Sequence, residues 1–138
     1  MTVLRRGLVA LTAFIGMVIV AGSALAAPAT ATVEISIHWS HYQPTLIHVR
    51  AGQRVTFVLR NDDPIDHEWI LGDEGVQARH RTGIELSHGA RPTEQTIPAG
   101  TEVHTTITFD TQATLQYICH LPGHEAYGMV GTLVVDGS

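Results

Sequence analysis

Three side chains that could bind a soft metal ion follow one another near the C-terminus of this 138-residue chain. They are Cys119, His124 and Met129, spaced as Cys-x4-His-x4-Met. A thiolate, an imidazole and a weakly bound thioether, completed by a second imidazole, form a mononuclear copper site suited to one-electron exchange. The spacing therefore predicts that one short loop supplies most of a copper ligand set.

The second imidazole must come from a distant part of the chain. His67 is the best candidate, because it follows the turn-forming run 61–64 and begins a strand-like segment. His80 and His88 are its competitors, whereas His104 lies on the polar phase of its own strand and should be solvated. The predicted metal ligands are His67, Cys119, His124 and Met129. A methionine that opens a buried strand could instead serve only as core packing.

The N-terminus has the features of an export signal. Arg5 and Arg6 precede an apolar run over 7–20, and small residues end in Ala-Leu-Ala at 24–26. This pattern predicts a signal peptide over residues 1–26 and a periplasmic, cell-surface or extracellular location. An uncleaved membrane anchor is the alternative, since the uncharged stretch is long enough to span a bilayer.

Charge and cysteine content restrict the partners of the exported chain. Beyond residue 26 there are six arginines, no lysine and thirteen carboxylates, hence a net charge of −7 with neutral histidines. Such a surface argues against nucleic acid and anionic membranes, and suits a basic protein partner. We expect a monomer without membrane insertion. A single cysteine cannot form an internal disulfide, which favours the metal-ligand interpretation of Cys119.

Apolar residues alternate with polar ones through most of the exported chain, as they do in strands with one buried face. After a flexible lead-in over 27–32, we predict a single all-β Greek-key sandwich over 33–138. The predicted strands lie near 33–39, 45–50, 53–60, 66–71, 102–109, 113–119 and 129–135. No segment predicts a convincing helix, although 73–81 could contain a short helical turn.

The phase of the strand at 113–119 decides where its cysteine points. Leu115, Tyr117 and Cys119 share one face, so the sulfur should point toward the core, while Ile118 and His120 point away. Proline at 122 then ends the strand, because it has no amide hydrogen to donate. The loop that follows could fold back and bring His124 to the strand end.

Three further patterns accompany these ligand candidates. They are Pro44-x-x-Ile47-x-Val49-x-x-Gly52-x-x-Val55-x-Phe57, Tyr117-x-Cys119-x-x-Pro122-Gly123-His124, and Gly128-Met129-x-Gly131. With the order His-Cys-His-Met, they resemble the cupredoxins, or blue-copper proteins, over about residues 33–136. The run 67–72 is most similar to exported cupredoxins associated with copper tolerance. In many electron carriers of the family an asparagine follows the first histidine, where Glu68 stands here.

Other metal centres fit the sequence less well. Histidine on both sides of the cysteine would indicate a multicopper oxidase, but Ile118 precedes Cys119 and no His-x-His pair exists. A binuclear centre with two bridging thiolates needs a second cysteine. Zinc is disfavoured by the thioether.

The resemblance implies a non-enzymatic type 1 copper protein, with one copper per chain, that carries single electrons to a redox partner protein. The alternatives are sequestration or delivery of copper together with a copper-handling protein, or a metal-free interaction module. His80 and His88, with His38 and His41, could form a second, weaker copper site. We favour the interpretation that the segment 72–97 is a solvated polar loop.

Overall fold

A computed structural model describes residues 30–85 and 87–137, which form two β-sheets and one helix. The elements in chain order are β1 Thr30–His38, β2 His41–Gln43, β3 Leu46–Arg50, β4 Arg54–Asn61, β5 His67–Gly72, α1 Glu74–Arg81, β6 Glu94–Ile97, β7 Glu102–Thr108, β8 Ala113–Ile118 and β9 Val130–Asp136.

The two sheets pack face to face and enclose one apolar core. One sheet has the order β2-β1-β4-β7 and the other the order β3-β9-β8-β5-β6. The pairs β1–β4 and β3–β9 are parallel, and all other neighbours are antiparallel. Aromatic rings fill the middle of the core, where Phe57 and Tyr117 both lie near Trp69. The predicted all-β Greek-key sandwich is confirmed.

Seven strands lie close to their predicted positions, and two short strands were not predicted. Strand β1 begins at Thr30, because residues 30–32 already pair with residues 54–56 of β4. The predicted flexible lead-in over 27–32 is therefore wrong from Thr30 onward. Strands β2 and β6, of three and four residues, are too short to show a clear alternation. The predicted signal peptide lies outside the described residues.

The segment after β5 is a two-turn helix rather than a loop with a single turn. The Asp73 side chain caps helix α1 by accepting a hydrogen bond from the Val76 amide at 3.0 Å. Gln77 is fully buried, and its amide group donates to the carbonyl oxygens of Ile70 and Gln116. Helix α1 therefore covers the outer face of β5 and β8. No helix in the described parts of the chain is long and apolar enough to cross a membrane.

Replacement of Gly131 should disturb the core beside the C-terminal strand. The Tyr117 ring lies directly over Gly131, and its hydroxyl donates to the Pro44 carbonyl at 2.6 Å. A methyl group at Gly131 would overlap this ring, so we expect Gly131→Ala to lower the free energy of unfolding by about 1–3 kcal/mol. Chemical denaturation of the copper-free protein measures the change. The control is Gly137→Ala, where nothing lies within 4 Å; an equal effect in both variants would contradict the prediction.

Candidate metal centre

Three of the four predicted ligands meet at one end of the sandwich. The ligand atoms of His67, Cys119 and His124 all lie within 4.8 Å of one another. His124 Nδ1 is 3.3 Å from Cys119 Sγ and 3.3 Å from His67 Nδ1. The fourth predicted ligand, Met129, is fully buried. Its backbone is hydrogen-bonded to two of the other ligand residues, because its amide donates to the His124 carbonyl and its carbonyl accepts from the Cys119 amide.

Two adjacent strands hold the first two of these side chains. His67 opens β5, and Cys119 directly follows β8, the antiparallel neighbour of β5. The Glu68 amide lies 3.4 Å from Cys119 Sγ and donates to it. Both side chains are fully buried. The thiol and the first imidazole are therefore fixed by the sheet rather than by a loop.

The third side chain comes from the loop that joins β8 to β9. This loop closes through turn hydrogen bonds, including those from the His124 amide to the Leu121 carbonyl and from the Tyr127 amide to the Gly123 carbonyl, both at 3.0 Å. Gly123 and Gly128 have φ values of +86° and +93°, which L side chains rarely adopt. The two glycines allow the chain to reverse sharply enough for His124 to face Cys119.

Burial sets the protonation states of this centre. Burial raises the pKa of the Cys119 thiol to about 11, although the amides of Glu68 and Leu121 act in the opposite direction. Burial, and then the neighbouring His67, lower the pKa of His124, which favours the neutral imidazole that a metal ion binds. A buried thiolate needs a cation beside it, and a thiolate with two imidazole nitrogens is a donor set that suits copper. The residues present therefore fit the copper ion predicted from sequence.

Asp63 is the functional residue that the sequence analysis missed. Its carboxylate accepts hydrogen bonds from the amides of Trp39 and Ser40, both at 2.7 Å, and lies 2.9 Å from His67 Nε2. Burial acts to raise the pKa of Asp63, but the hydrogen bonds from Ser40, Trp39 and His67 outweigh it and lower the pKa. A proton shared with Asp63 at Nε2 leaves His67 Nδ1 free to face the metal centre. The only sequence signal was its place four residues before His67, in a run assigned as a turn.

Glu68 does not take over the place of the usual asparagine. Its side chain points to the outer face of the sheet, where Glu68 Oε1 lies 3.5 Å from His88 Nε2. Only its backbone amide contacts the centre. The carboxylate that supports the first histidine therefore comes from the preceding loop, through Asp63.

The remaining histidines divide into exposed and buried groups. His104 is exposed beside Glu102, as its polar strand phase predicted. His38 and His41 are exposed at the β1–β2 turn. By contrast, the side chains of His80 and His88 are only 7% and 5% exposed. The expected solvated polar loop is found at 82–85 and 87–92, where every residue except His88 is exposed. It is wrong for His80 and His88 themselves, whose side chains are covered where helix α1 and the following segment pack onto β5 and β8.

A buried cysteine and two imidazoles at one end of a Greek-key sandwich define a mononuclear copper protein. Residues 29–136 match the family model for copper binding proteins of the plastocyanin/azurin family. The chain belongs to this family, which confirms the predicted copper cofactor and the cupredoxin resemblance.

Two curated relatives carry the same name. The chain is 29% identical to the copper-resistant cuproprotein CopI of Pseudomonas aeruginosa over 145 residues, which cover 82% of this chain and 80% of that protein. It is 33% identical to CopI of Rubrivivax gelatinosus over 98 residues, covering 68% of this chain and 59% of that protein.

Solved structures of auracyanins share the fold. Auracyanin B superposes with a TM-score of 0.65 at 25% identity, covering 80% of this chain and 91% of that one. Auracyanin A, a "blue" copper protein of Chloroflexus aurantiacus, superposes with a TM-score of 0.62 at 27% identity, covering 78% and 99%.

The contact between Asp63 and His67 should tune the copper potential. A negative carboxylate on the far nitrogen makes the imidazole a stronger donor, which favours Cu(II) over Cu(I). We therefore expect Asp63→Asn to raise the reduction potential, measured by redox titration of the copper-loaded protein. Asp62→Asn is the matched control, because the exposed Asp62 contacts Arg60 instead. An unchanged potential in Asp63→Asn, or an equal shift in both variants, would contradict this role.

Proposed function

We propose that this protein is an exported type 1 copper protein that cycles between Cu(I) and Cu(II) and acts in copper resistance. His67, Cys119 and His124 would hold the ion together with Met129 as a weak ligand, and the ion would supply one-electron exchange. The observation that carries the proposal is the convergence of Cys119 Sγ with the Nδ1 atoms of both histidines.

The surroundings of this centre support a redox role. His67 and Cys119 are fixed by paired strands and fully buried, and Asp63 holds the far side of His67. A site held this rigidly changes little between the two oxidation states of the ion, which lowers the reorganisation required for each electron transfer. Four protein ligands would leave no position for a substrate, so we propose a non-enzymatic function.

The names of the relatives support copper resistance as the biological role. Both curated relatives are copper-resistant cuproproteins, and the alignment with the Pseudomonas protein spans 80% of its length. In this role the partner would be a copper-handling protein outside the cytoplasm. Our proposal of export rests on the N-terminal sequence pattern.

Electron carriage to a redox partner protein is the second candidate. The similarity to auracyanin A, a "blue" copper protein, favours it. The loop that carries His124 also has an exposed ring, Tyr127, which is 76% exposed and could contact a partner.

Loss of the thiolate should abolish both the copper centre and the resistance that depends on it. We expect Cys119→Ser to remove the intense thiolate-to-Cu(II) absorption, because a hydroxyl is a poor replacement for a thiolate. His67→Ala should also destroy or strongly perturb the coloured site, while His104→Ala, on an exposed strand position, should leave it intact. Visible spectra of the Cu(II)-loaded proteins measure this, and colour that survives Cys119→Ser would remove the proposed centre.

Growth on copper separates the two candidate roles. In the native host without its chromosomal copy, the wild-type gene should restore copper tolerance and the Cys119→Ser gene should not. If deletion leaves copper tolerance unchanged while the purified protein has the coloured site, electron carriage becomes the better proposal.

The proposed role of Met129 as a weak ligand makes a separate prediction. Removal of a thioether donor disfavours Cu(II) more than Cu(I). We therefore expect Met129→Leu to keep the coloured site and raise its reduction potential, measured by redox titration. The leucine also fills the buried position at similar volume. A potential equal to that of the wild type would mean that Met129 serves only as core packing.

A further inference from the structure

We propose a second metal site, for Cu(II), formed by His80, Glu85, His88 and Glu94 on the outer face of the five-stranded sheet. Each of these residues offers one ligand atom, and the four atoms lie within 4.8 Å of one another. The site shares none of these residues with the type 1 centre, so it does not depend on the proposed function.

Burial of three of these four groups is the first observation that indicates a ligand, whereas the Glu85 side chain is 68% exposed. The side chains of His80, His88 and Glu94 are 7%, 5% and 7% exposed. A cleft of about 610 Å³, which His80, Glu85 and His88 help to line, connects the cluster to solvent. Buried imidazoles and carboxylates are costly unless they are paired or bind a metal ion. The cleft gives an ion a route to them.

The orientation of His80 is the second observation. Its Nδ1 lies 2.9 Å from the Val76 carbonyl and must donate a proton to it. In the neutral imidazole its Nε2 is then the accepting nitrogen, and it faces Glu94 Oε2 at 3.7 Å. An imidazole held by a backbone carbonyl on one nitrogen, with the other nitrogen free, is typical of a metal ligand.

His88 lies between two carboxylates at similar separations. Its Nδ1 is 3.3 Å from Glu85 Oε2, and its Nε2 is 3.5 Å from Glu68 Oε1. Within the described part of the chain, no hydrogen bond joins His80 or His88 to these carboxylates. The imidazoles and carboxylates thus converge without saturating one another, as a cation site requires.

Two arginines compete for one of the proposed ligands. Arg91 lies 3.0 and 3.1 Å from the two carboxylate oxygens of Glu94, and Arg79 lies 3.3 Å from Oε1. An ion would have to share Glu94 with them, which weakens its binding. The two histidines and Glu85 must therefore contribute most of the affinity.

The donor types select the ion. Two imidazole nitrogens and two carboxylate oxygens suit Cu(II), which binds such sites more tightly than Zn(II) does. The cluster has no thiolate or thioether, so it should not hold Cu(I). A Cu(II) ion bound here would lack the thiolate responsible for intense colour and would be distinguishable from the type 1 ion by electron paramagnetic resonance.

Copper counting on the full-length protein tests the proposal. The wild-type protein is loaded with excess Cu(II) and passed over a weak chelating resin. We expect two copper ions per chain and two paramagnetic signals. His80→Ala/His88→Ala should retain one ion and the full visible absorption. The matched control, His48→Ala/His104→Ala, removes two exposed histidines and should retain both ions.

Further variants keep the test decisive if the double variant folds poorly. His88→Gln retains a polar side chain and should also lose the second ion, with the thermal unfolding midpoint measured alongside. Cys119→Ser should keep the second ion and lose the coloured one, so the two sites can fail independently. The proposal is overturned if the wild type holds one ion, if the second ion survives in His80→Ala/His88→Ala, or if equimolar Zn(II) displaces it.

Discussion

The antiparallel pairing of β5 with β8 is the constraint on which the copper centre depends. The register pairs Ile70 with Ile118, and it brings the start of β5 close enough to the end of β8 for the Glu68 amide to donate to Cys119 Sγ at 3.4 Å. A one-residue slip of either strand in this register would put His67 and Cys119 on opposite faces of the sheet. The core on one side and helix α1 on the other hold the register, because every residue of β5 is buried and β8 is buried at Tyr117 and Ile118.

Strand alternation also explains why one sheet carries polar groups on two faces. His67 and Cys119 lie on the core face, whereas Glu68 and His120 project outward. His120 Nε2 lies 2.8 Å from Gln77 Oε1, and the His120 ring stacks on His80 with centroids 5.7 Å apart. Helix α1 thus converts the outer side of the sheet from a solvated surface into a second polar interior.

Sequence alone was sufficient for the parts of this protein that follow a local pattern. Apolar residues recur at every second position of the strands. The Cys-x4-His-x4-Met spacing of Cys119, His124 and Met129 is shared by few other kinds of metal site. Helix α1 gave no such signal, because its only buried residue is the polar Gln77. It is secured instead by a cap at Asp73 and by hydrogen bonds to distant carbonyls.

Long-range contacts account for what the sequence did not reveal. Asp63 supports His67 only because the β1–β2 turn, more than twenty residues earlier in the chain, brings two amides to its carboxylate. In the sequence, His80 and His88 resemble loop residues. Their side chains are buried only because helix α1 packs over β5 and β8. A prediction based on neighbouring residues cannot supply such contacts, which depend on the completed fold.

Glu68 directly follows His67, and His120 directly follows Cys119. The two faces of the sheet are therefore thermodynamically linked. Each pair shares a peptide unit, and the second member of each contacts the outer histidine cluster. Only the backbone of the sheet therefore separates a charge on one face from a charge on the other, and the protein interior screens the interaction between them weakly. Any cation held among the outer histidines would favour the reduced ion at the inner centre, and the inner oxidation state would alter the outer affinity by the same factor.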